Sequence, residues 1–67
     1  MYESEYITIL EIANLFNCSF TNVISICMME GEMVSINQKL YFTDDEDLTL
    51  LNTIDRELVK LGFSIKL

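Results

Sequence analysis

Asp44, Asp45, Glu46 and Asp47 form the densest run of reactive groups in this chain. Four adjacent carboxylates could hold a divalent cation. Their spacing is wrong for a calcium loop, which takes ligands at alternate positions around a central glycine. A helix N-terminus explains them better, because acids there meet the positive end of the helix dipole. The chain has no histidine, and so lacks the side chain that most readily acts as a base near neutral pH. Ser19, Ser25 and Ser35 sit in no nucleophile motif, and neither Cys18 nor Cys27 has a basic neighbour to lower its pKa. Two cysteines without histidine cannot build a four-ligand zinc site. Gly31 and Gly62 stand alone, so there is no phosphate-cradling loop. We expect no enzyme here: no catalytic residue, no cofactor or cofactor-binding residue, and no metal ligand.

Charge narrows the partner. The chain carries 4 basic residues against 11 acidic ones, a net charge of −7. Nucleic-acid modules draw much of their affinity from Lys and Arg contacts to phosphate. Tight binding to DNA in isolation is therefore not expected, and a protein or ribosomal partner is. Hydrophobic residues make up 51% of the 67 residues, with no proline and two glycines. Such a chain folds as one domain, residues 1–67, with 1–5 a frayed lead. A domain this small buries only about 60% of its unfolded surface. A surplus of apolar residues then means an efficient core or an apolar face that meets a partner. The acidic start Met1-Tyr2-Glu3-Ser4-Glu5 is unlike a signal peptide. No apolar run approaches the roughly 20 residues of a membrane span. The expected setting is the cytoplasm, with both cysteines reduced and no membrane contact.

The elements follow from caps and periods. Tyr6-Ile7 suggests a short strand. Thr8 with Glu11 three residues later has the form of a capping box. The helix it opens should run to Phe16, with Leu10 and Ala13 inward beside Ile9, Ile12 and Phe16. Asn17-Cys18-Ser19 makes a turn, and Ser19 is a good N-cap. Phe20, Val23, Ile24, Cys27 and Met28 then recur at helical spacing. Gly31 stops that helix. Residues 33–36 read as a strand, Asn37-Gln38 as a turn and Leu40-Tyr41-Phe42 as a returning strand, the "wing" of a winged helix. Thr43 and Glu46 suggest a second capping box. Leu48, Leu51, Ile54, Leu58 and Leu61 give a long third helix its apolar face. Lys60 and Gly62 mark its end. Phe63, Ile65 and Leu67 alternate like a half-buried strand. The expected fold is α+β, a small helix-turn-helix or winged-helix-like domain of order β-α-α-β-(β)-α-(β).

With the stripe of the second helix inward, its other side shows Thr21, Asn22, Ser25, Ile26 and Met29. Met33 follows the glycine stop, and Asn37 and Gln38 occupy the turn. We take Asn22, Ser25, Ile26, Met29, Met33, Asn37 and Gln38 as the candidate partner-binding residues. Leu50 and Val59 flank the apolar face of the third helix and allow a homodimer through it.

A family resemblance rests on Glu5-Tyr6-Ile7-Thr8, Glu11-Ile12-Ala13, Val23-Ile24-Ser25, Cys27-Met28, Gly31 and Val34-Ser35-Ile36-Asn37-Gln38-Lys39-Leu40. Together these resemble a small N-terminal domain of bacterial translation initiation factor two, lying ahead of its GTP-binding domain. The ending Gly62-Phe63-Ser64-Ile65 is similar to that family's close. The likeness covers about residues 5–40 and 53–67, and the run 35–38 is its specific part. It implies a noncatalytic module that docks a longer factor on the small ribosomal subunit or its initiation partners. Between Leu40 and Thr53 the chain departs from the family. There Leu40-Tyr41-Phe42-Thr43-Asp44-Asp45-Glu46-Asp47-Leu48 resembles winged helices of the MerR and excisionase types, as does Leu61-Gly62-Phe63-Ser64. That likeness implies a free-standing regulator of the kind a phage or mobile element carries, acting mainly through protein contacts. The basic residues of its DNA-reading helix and wing are missing.

Overall fold

The computed structural model describes residues 5–65. The chain is an α+β domain of order β1 (Tyr6–Thr8), α1 (Ile9–Phe16), α2 (Phe20–Met29), β2 (Lys39–Tyr41) and α3 (Asp45–Lys60). β1 and β2 pair antiparallel, with Tyr6 opposite Tyr41, Ile7 opposite Leu40 and Thr8 opposite Lys39. Leu40 is buried and Ile7 packs against the core. The Tyr6 and Tyr41 rings meet tilted at 58° with centroids 5.5 Å apart, and the Lys39 ammonium lies 4.8 Å over the Tyr6 ring. The sheet extends to Glu5, whose carbonyl accepts from the Phe42 N–H at 3.0 Å. The expected frayed lead therefore does not include Glu5; residues 1–4 lie outside the described residues.

α1 starts where all four of its otherwise unpaired N–H groups find acceptors. The Thr8 N–H donates to the Glu11 carboxylate at 2.8 Å, and the Glu11 N–H donates to the Thr8 hydroxyl at 3.2 Å. This is the expected capping box. The other two donors reach across the chain: Ile9 N–H to the Gln38 carbonyl at 3.2 Å, and Leu10 N–H to the Ile36 carbonyl at 2.9 Å. Residues 35–38 form a turn closed by the Gln38 N–H on the Ser35 carbonyl. That turn is a backbone cap for α1.

All three helices close alike, with paired bonds that satisfy their last carbonyls. Asn17, Gly31 and Gly62 take the positive-φ positions, at 53°, 82° and 98°. The closing bonds are Cys18 N–H to Ala13 carbonyl, Glu32 to Cys27 and Phe63 to Leu58. The axes of α1 and α2 turn through 118° at residues 17–19. The core is Ile9, Ile12, Ala13 and Phe16 of α1, Val23, Ile26 and Cys27 of α2, Leu40 of β2, and Ile54 and Leu58 of α3. Among the described residues no buried side-chain polar atom lacks a partner, and no single helix is long and apolar enough to cross a membrane.

Several expected details change. Residues 33–36 form no strand, so the wing lacks one of its two strands. Val34 and Ile36 are half-buried and Met33 and Ser35 exposed, so the alternation belongs to an extended segment lying on the core. Residues 63–65 are likewise not a strand; Leu67 lies outside the described residues. α3 is capped by Asp44, which accepts from the Asp47 N–H at 3.0 Å, and not by Thr43. Leu10, Leu48 and Leu61 are exposed; Leu50 packs on the core and Val59 is exposed.

Candidate partner-binding surface

Of the four carboxylates at 44–47, two are structural. Asp44 caps α3, and the Asp47 carboxylate accepts from the Tyr41 N–H at 2.9 Å, tying the end of β2 to the start of α3. Asp45 and Glu46 stay exposed and line a shallow depression with Glu32 and Thr49. Among the described residues, no group of three or more His, Cys, Asp or Glu side chains is placed to hold a metal ion.

Both cysteines are free. Burial pushes the Cys27 thiol up to about 11, helped by repulsion from the Glu32 carboxylate. Burial also raises Cys18. Each is protonated near neutral pH, and a protonated thiol is a poor nucleophile.

The candidate contact residues fall into three groups. Ser25, Met29 and Met33 are exposed, Met29 at 75% and Met33 at 89%. Asn22 is half-buried. Ile26 is 4% exposed and belongs to the core, which corrects its expected outward placement. α2 is rotated from the expected register. Val23 and Cys27 are inward in both registers, but Ile26 joins them while Phe20 and Met28 turn outward. Asn37 and Gln38 have exposed side chains, and the Gln38 backbone serves the α1 cap.

Met28 was missed as a surface residue. It lies at 60% exposure, in line with Thr21, Ser25 and Met29 along α2. Spacing alone could not reveal it, since its position also completes a plausible core stripe. A second apolar surface, also unforeseen, is a groove where Leu15 of α1 meets Phe42, Leu48 and Ile65. Among the described residues that line it, the one charged residue is Asp55. The groove gathers residues from distant stretches of chain, so no local pattern announces it.

The domain is thus a small α+β module with an exposed methionine face on its second helix. Forty-eight residues, 72% of the chain, are 40% identical to a segment of the translation initiation factor IF-2 of Christiangramia forsetii. The chain spans 5% of that protein's length. No family model matches the chain, and no solved structure matches it. The similarity supports a relation to one region of initiation factor IF-2.

Proposed function

We propose that this domain is a noncatalytic binding module of an IF-2-like protein. It helps dock that protein on the small ribosomal subunit or on its initiation partners, in the cytoplasm. The observation that carries the reading is the 40% identity over 48 residues to a segment of a translation initiation factor. The net charge of −7 favours a protein contact over a phosphate one. Co-sedimentation with purified small subunits tests the reading, using the chain alone and fused to a GTP-binding domain. Retention in the subunit pellet is the expected result. Absence of both forms from the pellet refutes it.

The α1–α2 pair favours a second reading. A three-residue turn and a 118° change of direction suit a helix-turn-helix. A free-standing regulator of that type would act through protein contacts. A mobility-shift assay at low salt tests its mode of action, since specific retardation of a DNA duplex would restore DNA binding to this reading despite the charge of −7.

A further inference from the structure

Among the described residues the outward face of α2, with Thr21, Ser25, Met28 and Met29, is exposed, and its chemistry is uneven. Its C-terminal half shows Met28 and Met29, and Met33 follows just beyond Gly31 at 89% exposure. Methionine is flexible and polarizable, and exposed clusters of it suit surfaces that must adapt to a ligand. Glu30 caps the helix and Glu32 follows, and Glu32 shares a depression with Asp45 and Glu46 of α3. None of these carboxylates forms an ion pair among the described residues; the pair found there is Lys60 with Glu57. Lys39 is engaged with the Tyr6 ring. Arg56 lies seven residues beyond Thr49 along α3, about 10 Å away by helical rise.

We propose that this methionine face docks a cationic amphipathic helix of a protein partner. Apolar side chains on one stripe of that helix would cover Met28, Met29 and Met33. Lys or Arg beside the stripe would meet Glu30, Glu32, Asp45 and Glu46. Charge selects this occupant over the others. Nucleic acid and anionic lipid are repelled by the acidic flank. A second copy of the chain, docked through the same patch, would set like charges against each other across a two-fold interface. The proposal rests on the reading of the chain as a binding module, but not on the partner being ribosomal.

The test uses the full chain with its methionine methyl groups labelled for NMR. The probe is a synthetic Lys/Leu amphipathic helical peptide, with a Gln/Leu peptide as neutral control. Saturating shifts at Met28, Met29 and Met33 are expected with the cationic peptide and not with the neutral one. Replacing all three methionines by glutamine should weaken binding at least tenfold, equivalent to about 1.4 kcal/mol. The variant E30K/E32K should weaken it similarly and flatten its salt dependence. Shifts confined to the Leu15–Phe42–Leu48 groove, or unchanged affinity in both variants, overturn the proposal. So does tighter binding to RNA or anionic vesicles than to the peptide. Small-subunit co-sedimentation of the same variants separates the two ideas. Wild-type and methionine variants that pellet equally would keep ribosomal docking and remove this face from it. Peptide binding without pelleting would keep the face and remove the ribosome.

Discussion

Replacing Thr8 by alanine probes how the start of α1 is held. The helix presents four N–H groups that lack intrahelical acceptors, and each has a specific partner: two side chains at Thr8 and Glu11, and two carbonyls at Ile36 and Gln38. Thr8→Ala removes the acceptor of the Glu11 N–H and the hydroxyl that donates to the Glu11 carboxylate at 3.1 Å, and leaves the other three N–H partners in place. That amide is near the surface, so water replaces part of the bond and the full burial penalty does not apply. The expected cost is about 1 kcal/mol, the usual value for losing such a cap. In a domain of this size that lowers Tm by roughly 4–8 °C. Thr8→Ser keeps the hydroxyl and should recover most of the loss. Side-chain truncations at Asn37 and Gln38 should cost under about 0.5 kcal/mol each, because the turn contributes carbonyls there. Thermal melts by far-UV circular dichroism give all four values. A Thr8→Ala melt within about 1 °C of wild type, or a serine variant as unstable as the alanine one, refutes the reasoning.

The register of α2 predicts a sharp contrast between neighbouring residues. Ile26→Ala should destabilise by about 2–4 kcal/mol in urea unfolding, while Met29→Ala should change stability by less than about 0.5 kcal/mol. Gly31→Ala and Gly62→Ala should each cost about 1 kcal/mol by the same assay. Both glycines have positive φ and open space around a would-be Cβ, so the penalty is conformational. Cys27 should make stability fall in alkali. Its thiol is held at about 11 against an ordinary value near 9, so the folded state keeps a proton that the unfolded state releases. The contribution is complete below about pH 9 and is lost as pH rises through about 11. Two pKa units on this fully buried thiol are worth about 3 kcal/mol. Unfolding measured across this range should be less pH-dependent in Cys27→Ala than in the wild type. An identical pH slope would show that Cys27 does not carry the effect.

What could be read from the sequence was set by whether two local signals agreed. At α1 the capping box and the apolar spacing coincide, so the helix and its bounds were legible from Thr8 to Phe16. At α3 two overlapping caps compete, Thr43 with Glu46 and Asp44 with Asp47. The choice is made by a distant group, the Tyr41 N–H, which the Asp47 carboxylate accepts. The strand expected at 33–36 failed for a similar reason. Its alternation is real, but the ladder needs a partner, and β1 pairs with β2 instead. The candidate surface was half legible: Ser25, Met29 and Met33 are exposed as expected, while Ile26 is not.

The error at Ile26 has a physical source that bears on function. Seven of the ten residues of α2 are apolar, so two stripes rotated from one another fit helical spacing equally well. A helix with one wet and one dry face would leave no such choice. α2 is ambiguous because it is apolar on the side that the fold leaves uncovered. Met28 and Met29 do little for the core at 60% and 75% exposure, and polar residues there would be as compatible with the fold. The run 35–38 shows the opposite case. It carries the most specific family resemblance, yet its Ile36 and Gln38 carbonyls cap the start of α1. A motif can therefore mark a family because it holds the fold, while the contact surface lies where the pattern is ambiguous. A partner is therefore to be sought on the methionine face before the turn at 35–38.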